Sequence, residues 1–312
     1  MYKKNRIKEM IDNGEIPLGM QCFTGDPALI EIMGLTGFDY VMLDSEHSGN
    51  DPRAMETLIR AADSVGLTSF VRVPQATDEA SIHRALEAGA MGVYLPEVDS
   101  VEDVKKAAEA AFYYPKGNRG ICPSVRAAHY NPDTFVDYAA WNNNEIMLVP
   151  MIENPSALAD LENIFAHPDV HMAVFAEGDY GFSVGEGMDL LSGTKVKKAY
   201  QQVLAAGAKH NVAVIGGPVL AADPDSCRQA IEAGVRVFSI GLDSVVFRSA
   251  CQAMADALDK GTQGTKFSRP EKKNWGFAAP QPSNSLLKKR LNRSAGSNAA
   301  IEPRKKESVC RK

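Results

Sequence analysis

The residues able to do chemistry stand in short polar clusters, each directly behind an apolar run. Asp44-Ser45-Glu46-His47 follows Tyr40 to Leu43, Arg72 stands just before Pro74 at the end of Ser69 to Val73, and Glu153 follows Ile146 to Ile152. Glu177-Gly178-Asp179 follows Met172 to Phe175, Gly216-Gly217-Pro218 follows Val212 to Ile215, and Asp243 follows Val237 to Ile240. Glu153 and Asp179 are hard oxygen donors suited to Mg2+ or Mn2+, ions that keep several waters and take only one or two protein carboxylates. The competing reading makes each a cap of the helix behind it, because Asn154-Pro155 opens one and a carboxylate is stabilised near a helix N-terminus. Arg72 offers a fork of donors for a carboxylate or a developing enolate oxygen; its competing role is an ion pair with Asp44 or Glu46. His47 lies three residues after Asp44, a spacing at which the carboxylate can orient the imidazole and raise its basicity, whereas a lone loop histidine is otherwise a solvated side chain. The six histidines are scattered and form no His-x-x-x-His helix, so a three-histidine zinc site is poorly supported, and no Lys stands at a strand end to form a Schiff base. His83, His167, His171 and His210 carry no role, while His129 is a candidate for contact with the distal part of a substrate.

What must position these groups is a repeated unit: an amphipathic helix that ends at a glycine, then a short apolar strand. Copies occur at Met33-Gly34 with Gly37, Leu86 to Gly89, Ala206-Gly207 and Ile231 to Gly234, and glycine suits a left-handed helix terminus. Together with Met20 to Phe23, Ser69 to Val73, Ile146 to Ile152 and Met172 to Phe175, they give eight candidate strands. Helical spacing recurs between them, as in Met55, Leu58, Ile59, Ala62 and Val65, and again from Val101 to Ala111. Strands apolar throughout are expected where helices cover the sheet. Eight β/α units in about 260 residues predict an α/β fold, a closed (β/α)8 TIM barrel, since a doubly wound sheet would show a glycine-rich phosphate loop after its first strand. In such a barrel the carboxyl ends of the strands carry the active site, and the polar clusters fall there. The longest excursion, Pro115 to Asn144, is expected at the fourth βα loop as part of the active-site rim.

Composition excludes several classes. The chain has 312 residues, 45% hydrophobic and 23% charged, the proportions of a globular protein that buries a full core. No apolar run approaches the roughly 20 residues of a membrane span, and Met1 to Glu9 is charged, so a cytoplasmic protein with no membrane partner is expected. Cys22, Cys122, Cys227, Cys251 and Cys310 are odd in number and scattered, which argues for reduced thiols. The net charge of -5 is uneven: residues 263 to 312 hold 13 Lys/Arg against 3 Glu, leaving the rest strongly acidic and poorly suited to nucleic acid. The expected division is therefore a catalytic barrel over 1–262 and a basic, disordered tail over 263–312, in which Lys288 to Arg290 and Arg304 to Lys306 are either a targeting or anion-binding signal or simply solvated charge.

Five segments in register, Leu43-Asp44-Ser45-Glu46-His47, Val71-Arg72-Val73-Pro74, Tyr114-Pro115-x-Gly117-x-Arg119-Gly120, Met151-Ile152-Glu153 and Gly178-Asp179-Tyr180, resemble the motif series of the HpcH/HpaI aldolases, metal-dependent class II pyruvate aldolases. The resemblance runs from about Gly19 to Leu258. It implies that Glu153 and Asp179 bind a divalent metal, Mg2+ first with Mn2+ or Co2+ as alternatives, which chelates pyruvate. It implies too that Arg72 stabilises the enolate oxygen, that His47 with Asp44 moves the proton, and that backbone N–H groups around Gly178 and Asp179 hold the pyruvate carboxylate. A homohexamer built as a trimer of dimers, exchanging a last barrel helix at about Val245 to Leu258, is implied as well. This chain departs from the pattern at Ala176-Glu177, which sets an extra carboxylate beside the metal, at Met151, where several members carry Gln, and in its basic tail.

The activity this implies is cleavage of a small-molecule substrate, a 4-hydroxy-2-oxo acid, to pyruvate and an aldehyde. A metal that polarises the carbonyl acts where the enolate charge develops. The alternatives are oxaloacetate decarboxylation to the same enolate, as in the related macrophomate synthase, a CoA-ester lyase of the citrate-lyase-like branch, for which no CoA signal stands in the sequence, and a barrel without turnover that serves as an oligomeric scaffold.

Overall fold

Runs of apolar residues buried on both faces form eight parallel strands: β1 Leu18–Cys22, β2 Tyr40–Asp44, β3 Thr68–Arg72, β4 Gly92–Leu95, β5 Met147–Ile152, β6 Met172–Phe175, β7 Ala213–Gly216 and β8 Val237–Leu242. Each pairs with its neighbours in sequence order and β8 returns to β1, so the sheet closes into the expected barrel. The computed structural model describes residues 2–187, 193–217 and 223–267. Pro218 and nearly all of the basic tail, including Lys288 to Arg290 and Arg304 to Lys306, lie outside them. The chain divides into compact units Met1–Gln252 and Ala253–Lys312, and the segment Val245 to Leu258 belongs to a longer helix, Asp243–Gly261.

Two apolar layers follow from the period-2 alternation of the strands. One set packs outward under the helices and includes Val41, Leu43, Val71, Val93 and Leu148. The other fills the barrel with Tyr40, Met42, Phe70, Tyr94, Met147, Val149, Met151 and Met172. At the amino-terminal end this interior is closed by Ile7, fully buried on the helix Arg6–Asp12. Gly19 makes room for the ring of Tyr40, which a Cβ would meet at 2.2 Å. The freed ring crosses to β8, where its hydroxyl donates to the Phe238 carbonyl at 3.1 Å.

Two expectations are corrected. Gly207 does not end its helix, which runs Thr194–His210 and terminates at Asn211 in the left-handed conformation. Gly207 is there for close packing, because a Cβ would stand 2.7 Å from Val214 of β7. The Pro115 to Asn144 excursion is not a βα loop. A capping box of Ser100 and Asp103 starts the helix Val101–Ala111 soon after β4, and the excursion follows that helix. It therefore lies at the amino-terminal end of the barrel, where Arg126 meets Asp63 and the Ala88 carbonyl and Asn142 donates to the Ala111 carbonyl at 3.1 Å. His129 stacks on Tyr2 at this end, with ring centres 4.7 Å apart, away from the strand ends that carry the polar clusters.

Candidate active site

Asp44, Arg72 and Glu153 continue the inward alternation of Tyr40-Met42, Phe70 and Met147-Val149-Met151, so the pleat itself points them into the carboxyl-terminal mouth. Asp44 sits opposite Arg72 in the β2–β3 register. It is fully buried, and Arg72 Nε donates to its Oδ1 at 2.6 Å. The other oxygen accepts the backbone N–H of His47 at 2.9 Å. Arg72 Nε also lies 3.1 Å from Glu46 Oε2, and the guanidinium carbon stands 5.4 Å from the centre of the Phe23 ring. The ion pairs weighed against a substrate role for Arg72 are both present, yet the residue is not used up. Its Nη2 is buried without a hydrogen-bond partner.

The imidazole of His47 is not oriented by Asp44, whose carboxylate is occupied by Arg72 and the loop backbone. The carboxylate near the ring is Glu46, 3.6 Å from His47 Nε2. Glu46 Oε2 is buried within ion-pair reach of Arg72 and His47 but forms no hydrogen bond of proper geometry. Burial raises the Glu46 pKa, Arg72 and His47 oppose the rise, and Asp44 and Glu97 add to it.

Glu153 is nine-tenths buried, and its Oε1 accepts the backbone N–H of Glu97. Burial, with Asp179 and Glu46 close by as like charges, pushes its pKa up to about 7 against the lowering effect of the Glu97 N–H and Arg72. The following helix, Pro155–Ala159, is capped by Asn154, whose side chain accepts from Ala157 N at 2.8 Å, so Glu153 is not its cap. Asp179 is exposed in the first turn of the helix Glu177–Ser183, which starts at Ala176 without a side-chain cap. Gly178 shares that turn, where helical N–H groups have no intrahelical acceptor. Met151 packs in the barrel interior, and Glu177 lies close enough to Tyr200 to raise its phenol pKa, burial being the larger cause.

Among the described residues no three His, Cys, Asp or Glu side chains form a metal-binding group. The pair Glu153 and Asp179 nonetheless fits a hard divalent cation. Both offer carboxylate oxygens, and a cation there would relieve the like-charge crowding that raises the Glu153 pKa. Asp243 does not belong to this group. It accepts the N–H groups of Phe23 and Thr24 at 3.0 Å each, and so stitches the β1–β8 seam. Two participants escaped the sequence reading. Glu97 directly follows Pro96 at the end of β4, the same pattern that marks the other clusters, and its carboxylate acts on Glu46. Phe23, behind β1, supplies the ring facing Arg72 and has no such signal.

With this geometry in place, the comparisons decide the family. Residues 19–250 match the HpcH/HpaI aldolase/citrate lyase family model. The chain belongs to that family. It is 30% identical over 258 residues to a 5-keto-4-deoxy-D-glucarate aldolase of Klebsiella pneumoniae, covering 82% of this chain and 97% of the relative. A family protein of Burkholderia cenocepacia superposes with a TM-score of 0.74 at 28% identity, covering 81% of this chain and 99% of the other. Macrophomate synthase superposes at 0.71 with 26% identity, covering 82% and 89%. Membership of this family makes the chain an enzyme of the aldolase/lyase type that acts on small molecules. Among the described residues no helix is long and apolar enough to cross a membrane.

Proposed function

We propose that this protein is a divalent-metal-dependent lyase that cleaves a 4-hydroxy-2-oxo acid to pyruvate and an aldehyde, or runs the reverse addition. The observation that carries the reading is Arg72, buried between Asp44 and Glu46 beside the Glu153–Asp179 pair, with Nη2 unpartnered. Glu153 and Asp179 would hold the metal, Mg2+ first with Mn2+ or Co2+ as alternatives, and the ion would supply polarisation of the 2-keto group. Arg72 Nη2 donates to the keto oxygen as negative charge gathers there, and its ion pair with Asp44 keeps the fork from turning away. N–H groups of Gly178 and Asp179 receive the substrate carboxylate. His47, steadied by Glu46, takes the proton of the 4-hydroxyl as the C3–C4 bond breaks and returns it to C3, so the proton inventory closes on pyruvate.

Likeness to macrophomate synthase supports a second reading, decarboxylation of oxaloacetate to the same enolate. The proposal includes a cytosolic homohexamer, a trimer of dimers, supported by Val246 and Phe247, exposed at 45% and 64% on the helix Asp243–Gly261; light scattering in solution measures it. The deciding experiment is deuterium exchange into the pyruvate methyl group, followed by NMR with Mg2+ or Mn2+ and then with chelator. Exchange that stops on chelation is expected, and added aldehydes against oxaloacetate then separate the two readings. A folded protein that exchanges nothing with any metal refutes both.

A further inference from the structure

The mouth holds more carboxylates than the proposed reaction uses. Asp44 and Glu46 share the one guanidinium of Arg72, and a divalent ion on Glu153 and Asp179 balances only that pair. Glu97 remains. Its backbone is in the left-handed conformation, φ 52°, rare for a residue with a side chain, and its N–H is tied to Glu153 Oε1. This anchor fixes where the Glu97 side chain leaves the β4 end. The side chain is exposed and lies within electrostatic reach of Glu46. A second, independent feature is Arg72 Nη2, on a side chain more than nine-tenths buried, which is the donor left for the anionic 2-oxo acid end. That end of the substrate has Arg72, and Glu97 is the exposed carboxylate left at the β4 rim.

The geometry points to an aldehyde half that carries no carboxylate, uncharged or cationic, with the Glu97 side chain as the residue that enforces the choice. The inference rests on the 2-oxo acid reading above. An anionic aldehyde would approach a fixed like charge at the rim, where salt screens the repulsion. Glu97 is a specificity residue and takes no part in bond breaking.

The test uses the full chain with Mg2+, pyruvate and three short acceptors: 3-hydroxypropanal, 3-aminopropanal and succinic semialdehyde. The neutral and cationic acceptors are expected to exceed succinic semialdehyde in kcat/KM by about tenfold, a gap that narrows several-fold at about 1 M salt. Glu97→Gln is expected to close most of the gap and Glu97→Lys to invert it, a charge-dependent order that a merely structural role would not produce. Pyruvate deuteration in the wild-type protein, with succinic semialdehyde preferred or with a gap insensitive to both substitutions, overturns this inference and leaves the lyase reading standing. Absence of deuteration overturns both.

Discussion

At the amino-terminal end of the barrel Asn5, 1% exposed, has its side chain spent on structure: Oδ1 accepts from Ile7 N and Lys8 N, and Nδ2 donates to the carbonyls of Met91 and Glu145 at 3.1 and 2.9 Å. At the carboxyl end, Arg72 Nη2 and Glu46 Oε2 are equally hidden and form no hydrogen bond. Buried polar atoms are normally satisfied, because an unmade bond costs about 1–3 kcal/mol. Asn5 therefore completes its hydrogen bonds under the barrel, whereas Arg72 and Glu46 withhold theirs at the mouth; Arg119, in the excursion at the amino-terminal end, also has Nε and Nη2 buried without a partner and stands over the Tyr113 ring. At the mouth, into which the strand pleat points Arg72 with Asp44 and Glu153, what stays unsatisfied is capacity to bind.

The hardest blow to the contrast is expected at the carboxylate pair. Glu153→Gln and Asp179→Asn each remove an oxygen donor while keeping shape, and each should lower metal-dependent pyruvate deuteration by roughly a thousandfold or more with the fold intact by circular dichroism. Undiminished exchange in either would remove it from the site. Next in size is Arg72→Lys, which keeps a charge for the fully buried Asp44 but loses the fork; turnover should fall about a hundredfold with metal affinity nearly unchanged. Arg72→Ala is a poorer probe, since it leaves a buried carboxylate unpaired and should cost about 3–5 kcal/mol of stability.

The barrel was legible because its strands are buried on both faces and so stand out as apolar runs; all eight appear within two residues at their starts. The carboxylates and Arg72 were legible because they directly follow those runs. Other features were not, each for a physical reason. Gly207 marks a close approach to Val214 rather than a helix end, and both uses of a missing Cβ look alike in sequence. The excursion was placed on the wrong end although Ser100-x-x-Asp103 opens a helix before it. Spacing put His47 with Asp44, but tertiary geometry gave Asp44 to Arg72 and the ring to Glu46.

At the plugged end the expected effect is on stability alone. Ile7→Ala opens a cavity in the barrel interior and should lower the unfolding free energy by about 3 kcal/mol. Pyruvate deuteration well below the new Tm should be unaltered. A large loss of turnover at unchanged stability would mean that the two ends are coupled.

The smallest expected effect is a slope with pH. The Glu153 pKa is raised in the folded protein to about 7 from an ordinary value of 4.5. Between those values the native state holds a proton that the unfolded chain has lost, so the metal-free protein is relatively stabilised at the lower pH. Stability should fall as pH rises, by about 2 kcal/mol between pH 5 and 7. Glu153→Gln, which cannot titrate, should flatten that part of the curve, and denaturant melts in chelator at a series of pH values measure it. Mg2+ competes with the proton for the same carboxylate, so its stabilising shift should grow through neutral pH. A slope unchanged by Glu153→Gln would place the titrating group elsewhere and take from Glu153 the burial and like-charge crowding that set the mouth apart.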